Sequence, residues 1–110
     1  LAAYLYPPFL EYAPAFCLGV LLVLMGAFNL RGNIASIHWY NRRKVTQKDQ
    51  KPYCRLVGAG TVIIGVGTCC FGVLQSIFQV EWVAYIEAVS IVIGLIFLCF
   101  AQFKYNKGLF

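Results

Sequence analysis

The stretch GAGTVIIGVGTCCFG (residues 58–72) decides the fold, because small residues recur in it at a fixed interval. Gly58, Gly65 and Gly72 lie seven residues apart, and Gly60 and Gly67 repeat the same step. Seven residues make two turns of an α-helix, so the members of each series share one face. Small residues on one face of an apolar segment are typical of helices that pack closely within a membrane.

The neighbouring positions extend this pattern. Thr61 and Thr68 are predicted to join the face of Gly58, with Gly60 and Gly67 flanking it. The other apolar segments carry stripes of the same period: Gly19 and Gly26 in the first, and Glu87, Gly94 and Ala101 in the third. Two interpretations follow. Either the stripes pack three helices of this chain together, or one stripe faces outward and binds a second copy or another protein.

Composition places most of the chain in lipid. Of its 110 residues, 61% are hydrophobic and 12% are charged. A soluble domain has about half its residues apolar and about a quarter charged. Three apolar runs, at 14–30, 56–78 and 82–103, approach or reach the roughly 20 residues that a helix needs to cross a bilayer. Because lipid offers backbone groups no hydrogen bonds, each run is expected to be helical.

The sequence therefore predicts an all-α fold, an integral membrane three-helix bundle forming one domain over residues 1–110. The helices are expected at about 14–40, 53–79 and 82–104, with a basic loop at about 41–52. Pro14 suits the first turn of a helix. A cleaved signal peptide is not expected, because no basic residue precedes Arg31 and no A-x-A site follows the first run.

The basic residues orient the chain in the membrane. All nine lie in two clusters: Arg31, Arg42, Arg43, Lys44, Lys48, Lys51 and Arg55 between the first two runs, and Lys104 and Lys107 after the third. Lysine and arginine in short loops remain cytoplasmic, which predicts an external N-terminus and a cytoplasmic C-terminus. Arg42, Arg43, Lys44, Lys48 and Lys51 are expected to contact anionic lipid headgroups rather than nucleic acid.

Glu87 is the polar residue that most invites a functional interpretation, because it lies within the third run. A hairpin turn near Val80 would place Gln75 at the depth of Glu87, which predicts a hydrogen bond between them. Ser76 and Ser90 are expected nearby. Three roles stay open: a structural bond that fixes the hairpin, an ion or substrate site, and a carboxylate that reaches the membrane interface.

No pattern indicates catalysis, a metal or a cofactor. The five cysteines form no C-x-x-C pair, and most sit in apolar helices, where cysteine acts as a small hydrophobic residue: they are Cys17, Cys54, Cys69, Cys70 and Cys99. His38 is the single histidine. Neither a carboxylate pair nor a Ser–His–Asp set is recognisable, and GAGTVIIG lies inside an apolar run rather than at a nucleotide-binding turn.

Three motifs carry a resemblance that covers about residues 26–110: HWYNRRKVT (38–46), DQKPYCRLVG followed by x-GT (49–61), and KYNKG (104–108). They resemble a group of small, functionally uncharacterised bacterial three-helix membrane proteins. A more distant likeness is to the membrane immunity proteins that protect bacteria from their own secreted toxins. The resemblance implies the bacterial inner membrane and no catalytic residues.

Two functions are therefore expected from the sequence. The first is a non-enzymatic binding or assembly protein, an accessory or immunity-type subunit that self-associates or docks on another membrane protein through its small-residue faces. The alternative is an oligomeric transporter or channel for an ion or small solute, using Glu87 and Gln75. An enzyme is not expected.

Overall fold

Three long helices make up most of the structure, a computed structural model that describes residues 8–32 and 44–107. They are α1 (Pro8–Leu30), α2 (Gln50–Ile77) and α3 (Val83–Tyr105), and a short 3₁₀ helix, Gln47–Asp49, precedes α2. The described ranges contain no strand, which confirms the predicted all-α class.

Each of the three helices is long and apolar enough to cross a membrane. α1 and α3 have 23 residues each, and α2 has 28. At 1.5 Å per residue these lengths are about 35 Å and 42 Å, against a hydrocarbon core of about 30 Å. The predicted transmembrane character is confirmed at this level of length and composition.

The first helix differs from its predicted bounds at both ends. It begins at Pro8, six residues early, so Pro14 lies inside it and cannot donate to the carbonyl group of Leu10. It ends at Leu30, where Gly32 adopts a φ of 93° and donates its N–H to the carbonyl of Asn29 at 2.8 Å. Glycine tolerates this left-handed conformation, which commonly ends helices. The predicted continuation to residue 40 lies largely outside the described residues.

The second helix is preceded by a capped turn. Thr46 is the N-cap of the 3₁₀ helix, and its hydroxyl oxygen accepts from the N–H of Asp49 at 3.4 Å, as the spacing of these two residues suggests. Pro52 follows in the first turn of α2, where a backbone N–H would have no acceptor within the helix, so proline costs no hydrogen bond there. The polypeptide then crosses to α3 through residues 78–82, in which Gln79 has a φ of 52°.

α2 is the central element of the described chain. α1 and α3 each pack extensively on α2 and make no comparable contact with each other. The core lies at one end of the molecule, where Tyr53, Cys54, Val57 and Ala101 are buried. The arrangement is therefore more open than a bundle in which all three helices pack together.

Candidate functional site

Glycines bring α1 and α2 into backbone contact. A β-carbon built on Gly65 would lie 2.9 Å from the carbonyl oxygen of Gly19, and one on Gly19 would lie 2.8 Å from that of Gly65. Gly26 and Gly58 have the same reciprocal relation, at 2.9 and 2.7 Å. These distances are shorter than the 3.4–4 Å of ordinary contact, so no larger residue fits unless the helices separate. Gly72 extends the row against Phe16.

A second row of glycines faces α3. A β-carbon on Gly60 would lie 2.7 Å from the carbonyl oxygen of Gly94, and the reverse distance is also 2.7 Å. A β-carbon on Gly67 would overlap the side chain of Ser90. The expectation that Gly60 and Gly67 flank the Gly58 face is therefore wrong. Two residues advance about 200° around a helix, which places the two rows on nearly opposite sides of α2.

None of the six glycines predicted to pack helices faces outward. Gly19, Gly26, Gly58, Gly65, Gly72 and Gly94 all approach atoms of a neighbouring helix in the same chain. The structure thus favours the first interpretation of the stripes, packing within the chain. A partner that contacts the described residues must use another surface.

Glu87 pairs with Thr68, not with Gln75. The hydroxyl oxygen of Thr68 lies 2.8 Å from Oε1 of Glu87 and also 2.8 Å from the carbonyl oxygen of Ile64. The prediction of a Gln75–Glu87 hydrogen bond is wrong, because the residue that bonds Glu87 lies two helical turns before Gln75 in α2. The contacts of Gly60 with Gly94 and of Gly67 with Ser90 set this depth.

The other predicted polar residues do not gather around Glu87. Ser76 donates to the carbonyl oxygen of Gly72 in its own helix at 2.7 Å and lines a mainly apolar groove of about 310 Å³ between α1 and α2. The hydroxyl of Ser90 donates to the carbonyl oxygen of Ile86 at 2.8 Å, and the side chain of Ser90 packs on Gly67. Gln75 is buried, and its Oε1 has no hydrogen-bond partner among the described residues; the same holds for Oε2 of Glu87.

The antiparallel packing gathers the basic residues at one end of the molecule. Lys44, Lys48 and Lys51 are exposed before and at the start of α2, close to the ends of α1 and α3. Arg42 and Arg43, the other predicted headgroup ligands, lie outside the described residues. Glu11 and Glu81 are exposed at the opposite end.

Polar contacts that sequence reasoning missed tie this basic end together. The backbone N–H of Lys44 donates to Oδ1 of the fully buried Asn106 at 2.8 Å. The hydroxyl of the buried Tyr53 donates to Oε1 of Gln102. The first bond joins the segment before the 3₁₀ helix to the residue that follows α3, and the second joins the first turn of α2 to the last turn of α3. Tyr53 and Asn106 lie within the DQKPYCRLVG and KYNKG motifs, which are the only sequence signal for them.

Comparison of the chain with known protein families, with curated proteins and with solved structures finds no match. A function can therefore be inferred only from the positions and contacts of the described residues. Within the described ranges, no three potential metal ligands lie together. The described residues form two notable arrangements, a central helix held by two rows of glycines and a carboxyl–hydroxyl pair between α2 and α3.

Proposed function

We propose that this chain is a non-enzymatic membrane binding protein, an accessory or immunity-type subunit of the bacterial inner membrane. The observation that carries the proposal is that the small and polar side chains within the spans hold the chain's own helices together. The glycine rows and the Thr68–Glu87 pair join α2 to both neighbours. The outer faces of α1 and α3 are then left to contact lipid or a partner.

α3 offers the larger of these faces. Only Val83, Gly94 and Ala101 are buried among its 23 residues. Its most exposed large side chains recur at intervals of three and four residues, which places them on one face: Tyr85, Val89, Val92, Ile96, Phe100 and Phe103. We assign this face to contact with another membrane-spanning helix, in place of the glycine stripes that the sequence suggested.

Native mass spectrometry of the protein, extracted gently from its own membrane, tests the binding role. A homo-oligomer of fixed number or a second polypeptide at fixed stoichiometry supports it, and a monomer that carries only lipid contradicts it. A photo-crosslinking residue at Ile96 then maps the contact. Leu21 on α1 is the matched control, because both side chains are more than half exposed. Crosslinks from Leu21 alone would refute the assignment to α3.

The proposed orientation has an external N-terminus and a cytoplasmic C-terminus, and anionic headgroups meet Arg42, Arg43, Lys44, Lys48 and Lys51. A cysteine introduced at Gln79, in a variant without the native cysteines, is expected to react with an impermeant maleimide added to intact cells. A cysteine at Lys48 is expected to react only after the membrane is opened. Both positions are exposed. The opposite labelling pattern would reverse the topology.

A transporter or channel is the second candidate, because two buried oxygens lack partners among the described residues. They are Oε1 of Gln75 and Oε2 of Glu87. Such polar atoms inside a membrane span are typical of ion and solute paths. The substitution Glu87→Gln separates the two candidates. It should abolish flux while leaving oligomers intact if the chain transports, and it should leave partner binding unchanged if the chain is a binding subunit.

A further inference from the structure

An apolar groove runs along the seam between α2 and α3, near the basic end of the molecule. Its walls are formed by Leu56 of α2 and by Ile96, Phe97 and Phe100 of α3, and its volume is about 180 Å³. All four residues lie in helices that are long and apolar enough to cross a membrane. In a bilayer the occupant of this groove must therefore be apolar, either a lipid acyl chain or a side chain of another protein.

A lysine ammonium group stands beside the wall of this groove. Lys104 follows Phe97 by seven residues and Phe100 by four, so the three side chains share one face of α3. Its Nζ lies 5.5 Å from the centre of the Phe100 ring and 5.3 Å from that of the Tyr105 ring. Ammonium groups are attracted to aromatic faces at such distances. The two rings therefore hold the positive charge next to the groove.

A second cation lies at a similar depth on α2. The bond of Tyr53 to Gln102 relates the depth of α2 to that of α3. Arg55 lies two residues after Tyr53, which is about 3 Å along α2. Lys104 lies two residues after Gln102, the same distance along α3 in the opposite direction. Arg55 is exposed and directly precedes Leu56 of the groove wall, so the two charges differ by about 6 Å in depth.

The acids of the chain lie mostly away from this end. The sequence contains four of them. Glu11 and Glu81 are exposed at the opposite end, and Glu87 precedes Lys104 by 17 residues, which is about 25 Å along α3. Asp49 is the one acid between the first and second apolar runs. The end of the molecule that carries the groove therefore has an excess of positive charge.

We propose that this groove binds an acyl chain of one anionic phospholipid, whose phosphate group meets Lys104 and Arg55. Basic pockets between membrane-spanning helices are typical sites for acidic lipid headgroups. An apolar helix of a partner would fill the groove but would offer the two cations no counter-charge. Ile96 and Phe100 also belong to the exposed face of α3, so the lipid lies at the edge of the face assigned to a partner. The site goes beyond the headgroup contacts proposed above and requires no partner protein.

Native mass spectrometry of the purified full chain in detergent counts the lipids that each polypeptide retains. Phosphatidylglycerol and phosphatidylcholine with identical acyl chains are titrated separately. One phosphatidylglycerol per chain is expected to bind at least about fivefold more tightly than phosphatidylcholine, and equal binding of the two lipids would overturn the proposal. Glycerophosphoglycerol, the same headgroup without acyl chains, should not displace the bound lipid at matching concentrations. Displacement would show that the charges bind without the groove, which also overturns it.

Two pairs of variants locate the lipid. Lys104→Gln should weaken phosphatidylglycerol binding about fivefold, whereas Lys48→Gln, which removes an exposed lysine outside the groove, should leave it nearly unchanged. Leu56→Trp should fill the groove and weaken binding, whereas Leu24→Trp, at an exposed position of α1, should not. Equal effects within the lysine pair would overturn the proposal even if Leu56→Trp fails to fold. The number of polypeptides in the same spectra reports the binding role separately, so either proposal can fail without the other.

Discussion

Adding one methyl group at Gly65 should force α1 away from α2. A β-carbon there would lie 2.8 Å from the backbone nitrogen of Val23 and 2.9 Å from the carbonyl oxygen of Gly19. Ordinary contact begins at about 3.4 Å, so the helices must separate by about 0.6 Å. The nearest atoms belong to the backbone and cannot rotate aside as the end of a flexible side chain would.

The magnitude follows from two opposing effects. Overpacking a close interface typically costs about 1–3 kcal/mol, and rigid neighbours favour the upper part of that range. Alanine recovers about 1 kcal/mol of helix propensity relative to glycine. We expect Gly65→Ala to lower the free energy of unfolding by about 2 kcal/mol, which reduces the folded-to-unfolded ratio about 30-fold.

Reversible unfolding in mixed micelles, with helix content followed by circular dichroism as the denaturing detergent is increased, measures this change. Val66→Leu is the matched control, because it adds one carbon at the adjacent position, which is 48% exposed. It should leave the transition unchanged. A Gly65→Ala protein that unfolds with, or after, the wild type would show that α1 and α2 are not in backbone contact there.

Three further substitutions test the remaining contacts by the same measurement. Thr68→Val should lower the free energy of unfolding by about 1–3 kcal/mol, because it leaves the carboxyl group of Glu87 without its hydroxyl partner. Thr61→Val should lower it much less, because among the described residues the hydroxyl of Thr61 bonds only the carbonyl oxygen of Val57 in its own helix. Equal effects would refute the pairing of Thr68 with Glu87. Tyr53→Phe should lower the free energy of unfolding by about 0.5–1.5 kcal/mol, because it removes the hydrogen bond to Gln102. An unchanged free energy of unfolding would argue against that contact between α2 and α3. Gln79→Gly should raise stability by about 1 kcal/mol because the φ of 52° suits glycine, and Gln79→Ala should not; a destabilised glycine variant would contradict the turn geometry.

The helices could be predicted from the sequence because their causes are local. Segment length and apolarity decide whether a helix spans a bilayer, and neither depends on a neighbour. The predicted ends of the helices were less accurate. Pro14 is compatible with the first turn of a helix, yet α1 begins at Pro8, because the residues between the two prolines are also helical. The capping bond of Thr46 spans only three residues, so its cause is local as well.

The candidate site was only partly predictable, because it depends on how helices meet. Glu87 was identified from its charge inside an apolar run, but its partner was not. Thr68 and Gln75 are seven residues apart and share one row of α2, so periodicity alone cannot choose between them. The bonds of Tyr53 and of Asn106 join residues far apart in sequence and have no periodic signal.

The sequence by itself determined that three apolar helices form and that small residues recur on them every second turn. These properties arise from side-chain size and polarity and from the 3.6-residue repeat of one helix. Only the tertiary structure decided that Gly58 and Gly65 face α1, that Gly60 and Gly67 face α3, and that Glu87 meets Thr68. A repeat fixes which residues share a face, but the rotation and axial offset of a helix are set by the atoms of the neighbours it contacts.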